Sequence, residues 1–261
     1  MPELAQDHLE ADGPRVVLLH AGVADRRVWR DVAPALHARG LDVLAYDRRG
    51  FGETPASTEP FSHVDDLLGL LDEPAWLVGN SMGGAIALDA ALAAPEKVAG
   101  LVLIAPAVTG APETDLDHLH PDVSRIVRGL MAAEEAGDFD AVNRLEVHLW
   151  LDGPSSPEGR VGGDARQLAL DMNGIALRSG AAEDDGASGI EAWPRLEEIR
   201  APATIAWGEL DEPDAEVACR ELERRLAVVR KAVMLPGVAH LPSLEQPDVI
   251  TELVAEAVAT A

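Results

Sequence analysis

The feature that most constrains the fold of this chain is a series of continuous apolar segments, each about as long as one β-strand. These segments lie at residues 16–19, 41–45, 76–78, 98–104, 204–207 and 232–235. Most of them show no polar alternation, which is typical of strands that are buried on both faces. Segments with helical spacing lie between or after them, at residues 28–38, 64–71, 86–93 and 249–258. The alternation predicts an α/β fold, with a mostly parallel sheet and helices on both of its faces.

The alternation stops between about residues 112 and 193. This stretch contains three candidate helices, at residues 123–136, 139–149 and 165–172. Turn-rich segments join them. We therefore predict a core formed by residues 1–111 and 194–261, and a helical cap, or lid, formed by residues 112–193. Residues 111–193 contain 17 acidic and 6 basic residues. A solvated acidic surface explains this excess, and the alternative is a lid that disfavours anionic substrates.

Composition and charge limit the class of partner. With 261 residues, of which 47% are hydrophobic, the chain can bury a substantial core. Its formal charge of −25 repels phosphate groups and anionic membranes, so we expect no nucleic-acid partner and no membrane association. The first residues have neither a basic start nor an apolar stretch, and no segment approaches roughly 20 apolar residues, so we expect neither a signal peptide nor a membrane span. We expect a cytoplasmic protein, whose oligomeric state the sequence leaves open. The single cysteine, Cys219, is expected to be a small buried residue.

Residues 79–83 form the pattern G-x-S-x-G, with Ser81 at its centre. An apolar run precedes the pattern and a helix-forming run follows it, as in a sharp strand-to-helix turn. Such a turn needs small residues two positions before and after the serine, because a side chain there would collide with the helix start or the neighbouring strand. Gly79 and Gly83 meet this requirement. Ser81 is therefore a candidate nucleophile.

A serine hydroxyl needs a base within hydrogen-bond reach, and the base needs a carboxylate to orient it. His240 lies in a loop after the last predicted strand, where ligands bind in parallel sheets. His20 also ends a strand, but it precedes Ser81, whereas proteins with this turn have the order serine, acid, histidine. The acid is expected in the loop after residues 204–207, and Asp211 is our choice. Three other acids lie beside it: Glu209, Glu212 and Asp214.

Attack of a serine on a carbonyl carbon creates an oxyanion, which backbone N–H groups usually stabilise. The amide of Met82, directly after the serine and at a helix start, is one expected donor. The second is expected in the loop after residues 16–19, where small residues allow a substrate to approach the backbone. Gly22 is the candidate for this second donor, and Val23 is the alternative.

Together these motifs resemble those of serine hydrolases with the α/β-hydrolase fold. Residues 20–22 resemble the family's His-Gly oxyanion segment, residues 46–52 its D-x-R-G-x-G turn, and residues 79–84 its nucleophile turn. Residues 207–211 resemble the family's acid loop, and residues 237–247 resemble its histidine loop. The variants of these motifs are most similar to 3-oxoadipate enol-lactonase-like proteins and small carboxylesterases.

The chain departs from the family pattern in two places. Ala21 stands where the family usually has glycine, which alters the backbone path of the oxyanion segment without removing its N–H group. Only about fifteen residues precede the first predicted strand, so we expect a shortened N-terminal hairpin.

The resemblance implies a hydrolase that acts on a carboxylic ester or lactone through an acyl-enzyme on Ser81, without a cofactor or a metal. One alternative uses the same triad to cleave a carbon–carbon bond or to act as a cofactor-free lyase, because the fold does not decide the reaction class. Another is a ligand-binding protein that has lost turnover, although the intact triad argues against it. A haloalkane dehalogenase is disfavoured, because that chemistry uses an aspartate where this chain has Ser81.

We expect a small-molecule substrate that is neutral and at least partly apolar. Five apolar residues are candidates for its binding pocket: Trp29, Val108, Leu130, Trp150 and Met172. Apolar residues at helical spacing are more often part of a cap's own core. The sequence does not indicate which acyl group is bound.

Overall fold

The computed structural model describes residues 4–112, 118–180, 186 and 188–259. Within these residues one sheet contains seven strands: β1 (Gln6–Leu9), β2 (Arg15–Leu19), β3 (Asp42–Tyr46), β4 (Ala75–Asn80), β5 (Val98–Ile104), β6 (Ala203–Gly208) and β7 (Val229–Leu235). The strand order is β1-β3-β2-β4-β5-β6-β7. Strand β1 pairs antiparallel with β3, and all other neighbouring pairs are parallel. The predicted mostly parallel sheet is confirmed.

Strand β1 is the strand that the apolar pattern did not predict. Three of its four residues are exposed, because it lies at the edge of the sheet and pairs with β3 alone. The opposite edge shows the same effect. There β7 begins at Val229 rather than at the predicted residue 232, and Arg230 and Lys231 in between are exposed.

The part of the chain described by the structure forms nine α-helices: α1 (Val32–His37), α2 (His63–Gly69), α3 (Met82–Ala93), α4 (Pro121–Ala136), α5 (Phe139–Val147), α6 (Gly163–Ser179), α7 (Pro213–Arg225), α8 (Pro242–Glu245) and α9 (Pro247–Ala259). The predicted helix at residues 28–38 is divided. Its first part is a 3-10 turn at Arg26–Trp29, which Asp25 caps by accepting the N–H of Arg27.

Alternate residues of the strands pack into two apolar clusters, one on each face of the sheet. On one face, Val17 and Leu77 pack with residues of α2, α3 and α7. On the other face, Val16 and Val78 pack with residues of α1 and α9. This alternation follows from the two-residue period of a strand. The prediction of helices on both faces is confirmed.

Helices α4, α5 and α6 lie between β5 and β6 in the chain, where the cap is predicted. Helix α5 packs against both α4 and α6. Helix α6 continues beyond the predicted end at residue 172. The next residue, Asn173, is polar but buried, and its side chain donates hydrogen bonds to Asn143 and Glu146 on α5. The division of the chain into core and cap stays a prediction. None of the helices in the described ranges combines the length and the apolar character needed to cross a membrane.

Candidate active site

Ser81 lies at a sharp turn between β4 and α3. Its φ of 53° and ψ of −118° are a strained conformation for a residue with a side chain. A Cβ atom at Gly79 would overlap the backbone of Gly83, where the helix starts, and one at Gly83 would overlap the carbonyl of Leu19 on β2. Both glycines are therefore required, for the steric reason that the sequence pattern predicts.

A second strained residue, Ala105, follows the neighbouring strand β5 with a φ of 39°. Among the described residues, Ser81 and Ala105 are the only two non-glycine residues with positive φ. The Ser81 N–H donates to the carbonyl of Ile104 at 3.0 Å, and the Ser81 carbonyl accepts the N–H of Ala107 at 3.0 Å. Such strain persists where surrounding hydrogen bonds enforce it, and it concentrates at functional sites.

His240 and Asp211 lie together at the ends of β7 and β6. The imidazole Nδ1 is 2.8 Å from one carboxylate oxygen of Asp211 and 3.0 Å from the other. Since a carboxylate only accepts, Nδ1 carries the proton and Nε2 is left to face a reacting group. Burial opposes protonation of His240. The charge and hydrogen bond of Asp211, with the charge of Glu212, outweigh burial and raise the pKa of His240 above its ordinary value.

Main-chain contacts hold the acid loop against the histidine loop. The N–H of Leu210 donates to the carbonyl of Val238 at 2.9 Å. A Cβ atom at Gly208 would overlap the carbonyl oxygen of Ala239. The two loops therefore approach each other as closely as backbone allows, which fixes the separation of Asp211 from the histidine.

Asn80, directly before the serine, links three parts of the site. Its buried side-chain amide donates to the carbonyl oxygens of Ile104 at 3.0 Å and of His240 at 3.1 Å. Sequence reasoning missed this role, because Asn80 occupies the variable position of the pattern. The available signal was a polar residue at the end of an otherwise apolar strand.

The cap reaches the site through a π-helical turn at His148–Asp152, directly after α5. The carbonyl of Trp150 accepts the N–H of His240 at 3.1 Å, and the two rings lie 4.6 Å apart. Arg160 donates to the carbonyls of Leu151 and Asp152 at 2.7 Å and 2.6 Å. It also pairs with Glu245 on α8 at 2.6 Å, behind the histidine loop. Arg160 is a second residue that sequence reasoning missed.

Ser81 and His240 line the same cavity, whose volume is about 470 Å³. The other lining residues are mostly small and apolar: Ala105, Pro106, Ala107, Val108, Gly110, Ala111, Pro112, Trp150, Glu212, Asp214, Ala215 and Ala218. Burial and the charge of Asp211 raise the pKa of Glu212 to about 7. Within the described residues the Ser81 hydroxyl makes no hydrogen bond, and such bonds often tighten only when a substrate binds.

The five predicted pocket residues have different surroundings. Val108 and Trp150 line the cavity. Trp29 and Met172 are fully buried in the apolar core, and Leu130 packs in a cap cluster. These three are not among the lining residues of this cavity. Their helical spacing places them against other apolar side chains instead.

The competing acid and base candidates have other partners. The Glu209 carboxylate accepts the N–H of Gly237 at 2.9 Å. Glu212 and Asp214 line the cavity without a hydrogen bond to the imidazole in the described structure. His20 is fully buried, and its Nε2 accepts the N–H of Arg48 at 3.1 Å.

The predicted oxyanion donors belong to two segments next to Ser81. Met82 is the first residue of α3, where an N–H group has no acceptor within its own helix. Gly22 and Val23 follow β2, which pairs with β4 so that Leu19 lies opposite Gly79. The segment after β2 is therefore beside the nucleophile turn. Neither its Gly22 N–H nor its Val23 N–H has an acceptor in the described parts of the chain.

The model of the alpha/beta hydrolase family matches residues 16–253. A pimeloyl-[acyl-carrier protein] methyl ester esterase from Aeromonas hydrophila subsp. hydrophila is 27% identical over 250 residues, covering 93% of this chain and 94% of that protein. A 2-hydroxy-6-oxo-6-phenylhexa-2,4-dienoate hydrolase from Comamonas testosteroni is 27% identical over 215 residues, covering 77% and 72%. The solved structure of the enol-lactonase from Burkholderia xenovorans LB400 has a TM-score of 0.71 at 22% identity, covering 98% and 96%. These matches confirm the fold expected from the sequence.

Proposed function

Because the chain belongs to the alpha/beta hydrolase family, we propose that it hydrolyses a carboxylic ester or lactone through an acyl-enzyme on Ser81. One observation carries the proposal. Ser81 and His240 line one cavity, and Asp211 accepts a hydrogen bond from the side of His240 that faces away from substrate. The relative from Aeromonas, whose name states a methyl ester substrate, supports ester chemistry.

In the first half-reaction, Nε2 of His240 removes the hydroxyl proton of Ser81 as the oxygen attacks the carbonyl carbon. Asp211 stabilises the resulting imidazolium. The N–H groups of Met82 and Gly22, with Val23 as the alternative to Gly22, stabilise the oxyanion. The imidazolium then protonates the leaving alcohol. In the second half-reaction, water loses a proton to His240 as it attacks the acyl carbon, and the imidazolium returns this proton to the Ser81 oxygen as the bond to the acyl group breaks and the acid is released.

The cavity supports a neutral substrate that is at least partly apolar. Val108 and Trp150 supply apolar walls. Glu212 and Asp214 are the charged residues of its lining, and neither lysine nor arginine accompanies them. A carboxylate on the substrate would therefore meet like charge, and the net charge of −25 adds to this repulsion over longer distances.

The test is hydrolysis of p-nitrophenyl butyrate by the wild type and by Ser81→Ala. The proposal predicts that kcat/KM falls at least about a thousandfold while Tm is unchanged, because no other group supplies the nucleophile. Ser155→Ala is the matched control, since Ser155 is an exposed cap residue that bonds to Asp122. It is expected to retain full activity. Undiminished turnover in folded Ser81→Ala contradicts the proposal.

A second candidate function is hydrolysis of a carbon–carbon bond by the same triad. The relative from Comamonas favours it, because the substrate in that protein's name contains no ester. Assaying a vinylogous diketone beside p-nitrophenyl butyrate separates the two functions. An esterase is expected to leave the diketone intact, whereas faster turnover of the diketone than of the ester favours the second candidate.

A further inference from the structure

Arg48 is a buried cation without a carboxylate partner among the described residues. It is 1% exposed, and its Nε and Nη1 atoms have no acceptor in the described chain. Its guanidinium carbon lies 4.5 Å from the centre of the Phe51 ring. Burial lowers the pKa of Arg48 to about 10, so the group stays charged at neutral pH. The neighbouring Arg49, by contrast, pairs with Asp66 at 2.6 Å. An unpaired buried charge is costly, and such costs are usually kept where function needs them.

The Arg48 side chain contacts the backbone and the His20 ring, whose Nδ1 lies 3.3 Å from Nη2 of Arg48. This Nη2 lies 3.0 Å from the carbonyl oxygen of Ala21. Nδ1 of His20 lies 2.8 Å from the same oxygen, and the N–H of Ala24 lies 3.3 Å from it. Three donors therefore converge on a single carbonyl.

The tautomer of His20 follows from its second contact. Nε2 accepts the backbone N–H of Arg48 at 3.1 Å, so the proton of the neutral ring is on Nδ1, which donates to Ala21. Burial and the charge of Arg48 lower the pKa of His20 well below its ordinary value. His20 is therefore a fixed neutral donor and not a second base.

The Ala21 carbonyl shares its peptide group with the N–H of Gly22. The described chain contains no cis peptide bond, so the C=O and N–H of this group point in opposite directions. Donors that hold the carbonyl toward the buried Arg48 therefore turn the N–H away from it. Hydrogen bonds to a carbonyl also polarise its amide, and a cationic donor does so more strongly. The Gly22 N–H, which has no acceptor in the described chain, becomes a better donor to an anion.

From these contacts we infer that Arg48 and His20 are positioning residues, which orient and polarise the Ala21–Gly22 peptide so that Gly22 stabilises the oxyanion. The inference rests on the proposed function, because it assumes attack by Ser81 on a carbonyl. It also favours Gly22 over Val23 as the second donor, since the three donors act on the peptide that contains the Gly22 N–H.

A pair of ketones tests this inference. 1,1,1-Trifluoro-2-octanone accepts the Ser81 oxygen at its carbonyl carbon, the hydroxyl proton moves to His240, and the carbonyl oxygen becomes an oxyanion. 2-Octanone has the same chain but remains a ketone. The ratio of their inhibition constants therefore reports oxyanion stabilisation, whereas a loss of structure weakens both ligands.

Arg48→Met keeps most of the side-chain volume and removes the donor. We expect its affinity for the trifluoromethyl ketone to fall about tenfold, less than the hundredfold or greater loss typical when an oxyanion donor is removed. Affinity for 2-octanone is expected to stay within about twofold, and kcat is expected to fall while KM is retained. Arg30→Met, which removes an exposed arginine near the same segment, is the control and leaves the ratio unchanged.

If Arg48→Met does not fold, a second pair of variants tests the hydrogen bonds to the same carbonyl, that of Ala21. His20→Asn keeps an N–H donor near the position of Nδ1, and His20→Leu removes it. The ratio of the inhibition constants of the two ketones is expected to stay closer to the wild-type value in the asparagine variant than in the leucine variant. Equal weakening of both ketones, or an unchanged ratio in folded Arg48→Met and His20→Leu, overturns the inference. A wild type that binds both ketones equally contradicts the proposed function itself, and the inference with it.

Discussion

The two regions that border the cavity at Ser81 and His240 are held in place in different ways. At the strand ends, Ser81, Asp211 and His240 are placed by main-chain hydrogen bonds and by glycines at close backbone approaches. On the cap side, Trp150 contacts His240 through its backbone carbonyl and its ring, and the guanidinium of Arg160 pairs with Glu245 behind the histidine loop. The first region is defined mainly by short motifs in the chain, and the second by contacts between segments that are distant in the chain. We infer that the strand ends set the chemistry and that the cap supplies Trp150 to one wall of the cavity.

The largest effect is expected from Gly83→Ala at the strand ends. A Cβ atom there overlaps the carbonyl of Leu19, so α3 must move away from β2. We expect a loss in the free energy of unfolding of more than about 3 kcal/mol, together with loss of activity. Gly162→Ala makes the same change in the helical cap region and is the matched control. The added Cβ atom meets nothing within 4 Å, and the φ of Gly162, −112°, is allowed for alanine. This control is expected to cost less than about 1 kcal/mol. Similar urea midpoints for the two variants contradict the contrast between the regions.

Arg160→Met tests the attachment of the cap. The change removes the ion pair to Glu245, whose side chain is 5% exposed, and leaves that carboxylate buried. We expect a loss of about 3 kcal/mol in the free energy of unfolding, and a lower kcat/KM because the histidine loop loses its contact with the cap. Arg125→Met is the control. It removes a 64% exposed arginine paired within α4, and it is expected to cost under about 0.5 kcal/mol. If Arg160→Met loses as little free energy of unfolding as the control does, the cap is attached by other contacts.

Glu212→Gln gives the smallest expected change and separates electrostatics from packing. Burial and Asp211 raise the folded-state pKa of Glu212 to about 7, so its carboxylate form is disfavoured in the folded state. Stability then falls as pH rises toward 7 and stays lower above it. We expect the variant to be more stable than the wild type by roughly 1–2 kcal/mol at pH 8, with no difference near pH 4.

The same substitution is expected to move the pH profile of activity. The charge of Glu212 helps to raise the pKa of His240, and the base must be neutral to act. The acid limb of kcat/KM is therefore expected to shift to lower pH in Glu212→Gln. Glu216→Gln removes an exposed acid from the first turn of α7, the helix that directly follows Glu212, and is expected to shift neither stability nor the profile. A shift to higher pH contradicts the assignment of Glu212 beside the base.

The features that could be predicted from the sequence also differ between the strand ends and the cap side. Ser81 and Asp211 follow buried strands, and His240 follows the apolar end of the edge strand β7, so apolar pattern and motif together indicate their place. The role of Asn80 depends on His240, which is 160 positions away, and no local pattern connects them. Trp29 has the apolar signature of a buried residue, and that signature does not say which surface buries it. The edge strand β1 lacks the apolar run altogether, because only one neighbour covers it.

The central claim is that Ser81 is the acyl carrier, and covalent labelling tests it most directly. Folded protein at neutral pH is treated with a fluorophosphonate, and the adduct is located by mass spectrometry of its peptides. We expect one adduct per chain, on Ser81, absent in Ser81→Ala and formed more slowly in Asp211→Asn, whose histidine is less well oriented. An adduct on another residue, or no adduct on the folded wild type, contradicts the role of Ser81 as the acyl carrier.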